Sequence, residues 1–521
     1  MRTRYVLPLV AALLLTPAAA CNDFLTEKPQ DFFSPDNFPS TEADLAIALG
    51  AIDDWYTGGS NQAYFHRGWP MLTEVPSDQT IYERISDASR YENDTFTLNA
   101  DNEWLWRVWK QIYGAINSAN AIIDRIPQMN IPQAVKDRYM GAAKFHRAFN
   151  TFNAVRVWGD VPLVTKSWGS FAEASNVKRS PMAEVYAQLV QDLTDAASKL
   201  PTKWPGSCCA DDGRPTKGAA NAMLADVYMN MAGWPGVAGM SQTAKWADAA
   251  ARADSVILGG AYSLVPSFQN LFLIKNKNGP EHIYSIQFGG LIRNLFTCQS
   301  RPAGVGKESC TNYWYSTEAF MNSFSNADAR KAVTFQTRVI DSTVTPNKTY
   351  LYNTAGSYGD KGTRFPADRF HPYYGKFYDA GGPGKITENN SRTDLNWPIY
   401  RYAEVLLIKA EAENEAVGPD AGAYAAINLV RTRAALPNLT PGLTQAQFRD
   451  SVRQERSWEL AFESKRLFDL KRWGLFYSVL SNDPLARIGL KTYHLFLPIP
   501  NRELDLNANL CQNPGYGGGG C

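Results

Sequence analysis

Three carboxylates spaced four residues apart are the first residues whose pattern could support chemistry. Glu455, Glu459 and Glu463 share one face of a predicted helix at 453–474, and this helix has apolar residues around most of its circumference. Part of its charge must therefore be buried and must find partners. The row could serve as catalytic acids, or it could form an ion-pair network that locks one helix against another. Four arginines close in sequence favour the network: Arg453, Arg456, Arg466 and Arg472.

Aromatic residues form a second pattern with chemical potential, in a chain that holds 14 Trp, 25 Tyr and 25 Phe. One cluster, 64–69, follows the first predicted helix in a loop, and the other is the run 313–315. A sugar ring offers an apolar face to an aromatic plane and offers hydroxyls to polar neighbours. Consecutive aromatics in a loop cannot all turn inward, so at least one of the run should face solvent unless a neighbouring segment covers it. The predicted ligand-binding residues are Trp69, Asp78, Tyr82, Tyr313, Trp314 and Tyr315.

Sequence motifs of catalysis are missing from the chain. We find no GxSxG, HExxH or phosphate-binding loop. A glycosidase needs two carboxylates facing each other, about 5 to 9.5 Å apart, and adjacent pairs such as Asp53-Asp54 point away from each other. The residues Glu411, Glu413 and Glu415 indicate a solvated helix face. The sequence therefore predicts a binding protein that is not an enzyme, with a helical glycoside hydrolase as the alternative.

A metal or redox site is not expected, and no cofactor is predicted. No CxxC pair exists, and the chain has only five His, which are scattered. The charges balance, with 52 basic and 51 acidic residues and a net charge of +1. This balance gives no attraction to nucleic acid or to an anionic membrane surface.

The segment 401–434 shows the repeating element most clearly. Apolar residues recur with helical spacing through 401–416, and the helix is expected to end at Gly418-Pro419. Asp420 is a plausible N-cap for a second helix. Two antiparallel helices on a short turn are the unit of a tetratricopeptide-like array.

Similar helical patterns occur upstream and predict the fold class. We expect a mainly α protein of four tetratricopeptide-like hairpins, an α-α superhelix, spanning 40–260 and 400–475. Small residues such as Ala222 and Ala225 should let partner helices approach closely. Between the third and fourth hairpins lies a long irregular insertion, 260–398, with short strand-like runs such as 282–286. Long aromatic-rich insertions are usually functional, so much of the ligand site is expected there.

The N-terminus reads as a targeting segment. Residues 1–20 have a charged start, a short apolar stretch and small residues before Cys21, which is the pattern of a bacterial lipoprotein signal peptide. Cys21 is the predicted lipidation site. The alternative is an ordinary secretory signal followed by a chance cysteine.

An even number of cysteines remains after Cys21 and suggests disulfides in an exported protein. Cys298 with Cys310, and Cys511 with Cys521, would each close a short local loop. Cys208 and Cys209 are adjacent and could only form a strained bridge or pair elsewhere.

Several long motifs in the right order resemble the SusD/RagB family: 401–416, 427–436, 455–474 and 496–516, together with 21–29, Arg147-Ala148-Phe149 and 159–163. The resemblance implies a single SusD-like domain over 21–521 and a nutrient-binding lipoprotein of the Gram-negative outer membrane. It further implies a glycan ligand, or a peptide as in RagB-like members, and a SusC-like TonB-dependent transporter as partner. Family members similarly place aromatic residues from both clusters in a shallow glycan site.

Overall fold

The computed structural model of the chain describes residues 38–58, 64–82, 87–207, 212–290, 292–295, 299–300, 314–341, 345–351, 372–377, 385–386 and 393–517. The predicted signal peptide, Cys21 and Tyr313 lie outside these residues. So do Cys208, Cys209, Cys298, Cys310 and Cys521. Cys511 is described and is disulfide-bonded, and its pairing with Cys521 stays a prediction.

The described residues are mainly helical. The α-helices are α1 Glu42–Thr57, α2 Trp69–Thr73, α3 Ala88–Asp94, α4 Glu103–Arg125, α5 Gln133–Trp158, α6 Phe171–Ala174, α7 Met182–Lys199, α8 Lys217–Gly233, α9 Lys245–Ile257, α10 Phe268–Leu271, α11 Glu318–Ser323, α12 Lys331–Thr334, α13 Tyr402–Val417, α14 Ala421–Arg433, α15 Gln445–Glu459, α16 Arg466–Arg472, α17 Phe476–Leu480 and α18 Asn501–Leu506. None of the described helices is long and apolar enough to cross a membrane.

The long helices form the predicted hairpins, which confirms the fold class. α1 packs on α4, α5 on α7, α8 on α9, and α13 on α14. Neighbouring hairpins stack, since α4 also contacts α5, α7 contacts α8, and α9 contacts α13. Ala222 and Ala225 are fully buried in α8, which has neighbours on both sides. Small side chains there let the helices approach closely, as the sequence predicts.

Local signals set the turn of the fourth hairpin. α13 ends at Val417, and Gly418 follows with φ +96°, a value that L-residues with a side chain rarely adopt. The Asp420 carboxylate then accepts a hydrogen bond from the Ala423 N–H at 2.8 Å and caps α14. The predicted turn is therefore confirmed.

Short strands occur between and within the helical parts: β1 Thr80–Ile81, β2 Val161–Pro162, β3 Arg179–Ser180, β4 His282–Ile286, β5 Tyr315–Ser316, β6 Phe335–Gln336, β7 Arg338–Asp341, β8 Lys348–Leu351, β9 Tyr373–Tyr374, β10 Lys385–Ile386 and β11 Trp397–Arg401. The predicted strand at 282–286 is confirmed as β4. It pairs antiparallel with β11, which leads directly into α13. This pairing ties the start of the insertion to its end.

The prediction of one continuous helix over 453–474 is wrong, because a non-helical turn separates α15 from α16. Phe462 and Ser464 both have φ +56°, outside the helical region. The Ser464 N–H donates to a carboxylate oxygen of Glu74 at 2.8 Å, so a distant side chain holds the turn in place. Non-glycine residues take this conformation only when their surroundings hold them there.

A buried ion-pair network lies at this break and confirms the structural interpretation of the three glutamates. Arg401 contacts Glu281 at 2.8 Å, Glu459 at 2.9 Å and Glu463 at 2.8 Å. Arg330 contacts Glu455 at 2.6 Å and Glu459 at 3.1 Å. Each buried carboxylate therefore faces at least one guanidinium.

The cations of this network control the acidity of its carboxylates. Burial alone would raise the pKa of Glu459, but the charges of Arg433, Arg401 and Arg330 outweigh burial and lower it well below its usual range. The pKa of Glu463 is lowered in the same way, with Arg401 and Lys376 as the opposing charges.

The prediction of a solvated face on α13 is wrong for Glu411. Its carboxylate is buried and binds the guanidinium of Arg472 through both oxygens, at 2.5 and 2.8 Å. The face turns inward because α15 and α16 pack around it. Glu413 and Glu415 are partly buried and pair with Lys409 and Arg449, respectively.

Candidate functional site

The β1–β5 ladder brings together the two sequence regions in which a ligand site was predicted. Ile81 lies opposite Tyr315, and Thr80 opposite Ser316, in an antiparallel pair. Beside the ladder, the Thr317 hydroxyl donates to the carbonyl of Asp78 at 3.1 Å. The segment after α2 and the middle of the insertion therefore form one surface.

A groove of about 590 Å³ opens on this surface. The residues lining it come from the β1 segment, from β5 and α11, and from α15 to the turn after α17. They are Asp78, Ile81, Tyr315, Ser316, Thr317, Glu318, Ala319, Phe320, Ser323, Gln454, Ser457, Arg466, Val479, Asn482, Asp483 and Pro484. Buried Tyr315 and Phe320 form apolar parts of its wall, and exposed polar side chains such as Gln454 and Asn482 line its open side.

Asp78 and Arg466 form an ion pair with two hydrogen bonds in the groove. The guanidinium donates to both carboxylate oxygens, from Nε at 2.8 Å and from Nη2 at 2.7 Å. Both side chains remain partly exposed, at 26% for Asp78 and 17% for Arg466. They therefore present an acceptor and a donor side by side to a ligand with adjacent hydroxyl groups.

Buried hydrogen bonds fix the positions of the segments that form the groove. The Gln79 amide donates to the Ser457 hydroxyl at 2.7 Å, which joins the β1 segment to α15. Thr80 shares hydroxyl hydrogen bonds with Tyr374 at 3.0 Å and with Glu74 at 3.1 Å. Burial raises the pKa of Glu74 to about 7, against the lowering effect of the Ser464 N–H and the Thr80 hydroxyl.

Four of the predicted ligand residues are buried, which corrects the expectation that their side chains are exposed: Trp69, Tyr82, Trp314 and Tyr315. Trp69 is not in a loop: a π-helical turn, Tyr64–Gly68, runs into α2, and the Trp69 indole stacks on Phe468 at 5.8 Å. The Tyr82 side chain is fully buried, and its N–H donates to Asp94 at 2.6 Å.

Trp314 is also fully buried, so it is not the residue of the run 313–315 that faces solvent, and Tyr313 lies outside the described residues. Its indole N–H donates to the Ser300 hydroxyl at 2.9 Å, and its ring lies 5.7 Å from that of Phe462. Tyr315 is buried as well, with its ring edge-on to Tyr373, but it forms part of the groove wall. Of the predicted residues, the structure brings Asp78 and Tyr315 together in one site.

Sequence reasoning missed the part of the groove contributed by α15 to α17. Arg466 was assigned to the ion-pair network, yet its partner Asp78 lies 388 residues earlier in the chain. Gln454 and Asn482 are exposed polar residues with no distinguishing pattern around them. No local signal marks such residues, because only the fold brings α15 and the turn after α17 to the same groove as Asp78.

A second cavity of about 270 Å³ is mostly apolar, with Trp55, Trp109, Tyr113 and Trp168 in its wall. It shares no lining residue with the groove and contains none of the predicted ligand residues. Within the described part of the chain, no group of three or more His, Cys, Asp or Glu is placed to hold a metal ion.

Fold and groove together define a helical-repeat protein with an open groove of mixed polar and apolar lining. Comparison with known proteins identifies the family. The model of the SusD family matches residues 241–516, and a model described as starch-binding associating with outer membrane matches residues 23–229. The chain belongs to the SusD family.

Individual relatives extend over nearly the whole chain. The SusD-like protein P2 of Formosa agariphila is 30% identical over 97% of this chain and 98% of its own length. A SusD superfamily protein from Parabacteroides distasonis has a crystal structure with a TM-score of 0.75 at 26% identity, covering 91% of this chain and 98% of that one. The surface glycan-binding protein A from Bacteroides thetaiotaomicron, solved with laminarihexaose, has a TM-score of 0.71 at 18% identity, covering 91% of this chain and 100% of that one.

Proposed function

We propose that the protein is a surface glycan-binding lipoprotein of the outer membrane. It holds oligo- or polysaccharide in the groove and passes it to a TonB-dependent transporter. The observation that carries this proposal is the groove itself, in which the Asp78–Arg466 pair lies beside the apolar wall of Tyr315 and Phe320. The description of the matching family model, starch-binding associating with outer membrane, supports the same function.

The chemistry of the groove suits a sugar. A pyranose ring has apolar C–H faces and pairs of neighbouring hydroxyls that both donate and accept hydrogen bonds. Asp78 accepts from a hydroxyl, Arg466 donates to one, and Phe320 and Ile81 pack against the apolar face.

Asp78 is arranged to bind a sugar hydroxyl rather than to protonate a leaving oxygen. Asp78 has both oxygens engaged by Arg466. An inverting or retaining glycosidase needs one carboxyl group free to donate a proton to the leaving oxygen. We therefore expect glycan incubated with the protein to be recovered at its original length.

Removing the Asp78 carboxylate should weaken glycan binding. We expect Asp78→Ala to reduce retention in native gels that contain laminarin or amylopectin by about tenfold or more, since hydrogen bonds to charged groups contribute about 1.5–3 kcal/mol. Asp195→Ala is the matched control, because Asp195 has the same side-chain exposure of 26% and also pairs with a cation, but lies on α7 outside the groove. Wild-type retention by a folded Asp78→Ala protein would contradict this site.

Anchoring is the second part of the proposal. A diacylglycerol on the Cys21 thiol plus an amide-linked acyl chain would supply the two hydrophobic anchors that stable membrane attachment requires. We expect Cys21→Ala to move the protein from the membrane fraction to the soluble periplasm. An unchanged distribution after cell fractionation would show that the attachment lies elsewhere.

A further inference from the structure

The groove carries an excess of negative charge. Its described lining residues include three carboxylates, those of Asp78, Glu318 and Asp483, and a single cation, Arg466. No lysine or histidine occurs among these lining residues. Arg466 is already paired with Asp78. The lining residues therefore include no further cation to balance the charges of Glu318 and Asp483.

Both uncompensated carboxylates are placed where a bound chain would meet them. Glu318 is exposed at the start of α11, next to the exposed Ala319 of the groove wall. Asp483 is partly exposed, and one of its oxygens accepts hydrogen bonds from the N–H groups of Leu485 and Ala486. Those bonds fix the carboxylate at the edge of the groove.

We propose that the groove selects neutral glycans and rejects glycans that carry carboxylate or sulfate groups, and that Glu318 and Asp483 are its specificity-determining residues. This inference rests on the proposed glycan-binding function and adds the class of ligand. A neutral sugar gives hydroxyl hydrogen bonds to Asp78 and Arg466 at no electrostatic cost. A uronate or sulfate brought near Glu318 and Asp483 is repelled, and the only described cation of the lining is already neutralised.

The test uses the full-length protein and two polymers, each in a neutral and a charged form. Laminarin and amylopectin are each compared with their carboxymethylated derivatives, which differ from the parent chiefly in charge. We expect wild-type protein to be retained by the neutral polymers and much less by the carboxymethylated ones. Equal retention by both forms would overturn the selectivity, and no retention by either form would overturn the proposed function together with it.

The two carboxylates are tested by the double variant Glu318→Gln with Asp483→Asn, which keeps side-chain size and the oxygen that caps Leu485. Each removed charge should raise retention by the carboxymethylated polymer about threefold at low salt, and about tenfold together, since unit charges about 7 Å apart in water interact this strongly. The gain should shrink as salt screens the charges. Retention by the neutral polymer should not change.

A matched control removes the same charge elsewhere. Asp54→Asn with Glu184→Gln neutralises two exposed carboxylates on α1 and α7, neither of which lines the groove. This control should leave the discrimination between the two polymer forms as it is in the wild type. An equal gain in both double variants would mean that overall charge, not the groove, sets the discrimination, and would overturn the proposal.

Discussion

Replacing Arg401 with methionine is expected to lower the free energy of unfolding by about 3–5 kcal/mol at neutral pH. The guanidinium is fully buried and contacts Glu281, Glu459 and Glu463. Methionine fills much of the same volume but leaves those carboxylates short of a countercharge in a medium that solvates them poorly. Urea denaturation at pH 7 measures the loss.

The pH dependence of this effect has a definite sign. The folded-state pKa of Glu459 lies below its unfolded value of about 4.3, so its contribution to stability is present above that pH and is lost as the pH falls through the folded value. Without Arg401 the carboxylates protonate more readily, and protonation removes the cost of burying them as anions. The difference between wild type and variant should therefore be largest near neutral pH and should shrink in acid.

Arg449→Met is the control for the loss of an arginine. Arg449 also binds a carboxylate through two nitrogens, with Glu415 as its partner, but its side chain is 29% exposed. A partly exposed pair of this kind contributes about 0–1 kcal/mol. Equal losses of unfolding free energy in the two variants would show that the buried Arg401 network contributes no more to stability than a partly exposed ion pair.

Replacing Phe462 with alanine should have an effect of similar size, about 3–5 kcal/mol, which is typical of a buried phenylalanine. Its ring stacks on Tyr374 at a centroid distance of 4.2 Å and 10° between planes. It also lies 5.7 Å from Trp314 and 6.1 Å from Trp397. These three partners all belong to the insertion, whereas Phe462 lies in the turn between α15 and α16.

The loss should be uneven along the chain. Because the cavity opens between the insertion and the helical stack, amide exchange should rise first at 372–377 and 314–317, while α8 and α9 stay protected. Phe171→Ala, at a side chain that is 70% exposed, should change neither stability nor exchange appreciably. A uniform rise in exchange over the whole chain would contradict the role of Phe462 as the contact between insertion and stack.

Local signals in the sequence were enough to predict the helical hairpins. The helix end at Gly418 and the cap at Asp420 depend on residues within a few positions of one another, so spacing and residue type are sufficient. The ion-pair network was predictable for a related reason: carboxylates on a helix that is apolar on most sides must be buried and must find cations. Which cations they find was not predictable, because Arg330 and Arg401 lie far from Glu459 in sequence.

The groove could be predicted only in part. The two regions were recognised from their aromatic residues and from family resemblance, and the β1–β5 ladder brings them together. The orientation of individual rings depends on partners that are distant in sequence. Trp314, for example, packs against the ring of Phe462. The density of aromatic residues thus indicated where the groove lies. The side chains that it exposes in part to solvent include polar residues such as Asp78 and Arg466.

The two ends of the insertion are held close together by the rest of the molecule. α9 packs directly on α13, and β4 pairs with β11, so the chain leaves the helical stack and returns to it at neighbouring places. Lengthening a loop between fixed ends costs only about 0.6 kcal/mol for each doubling. Evolution can therefore replace the insertion, and with it one wall of the groove, without rebuilding the helices.

A replacement insertion must also supply positive charges for buried carboxylates of the helical part. Arg330 and Lys376 belong to the insertion, and they contact Glu455, Glu459 and Glu463 of the helical part. A transplanted insertion that bridges the gap but supplies no cation at these points would leave buried carboxylates short of a countercharge. Chimaeras between relatives should therefore fold when the incoming segment carries both basic residues and fail when it lacks them, however well its length matches.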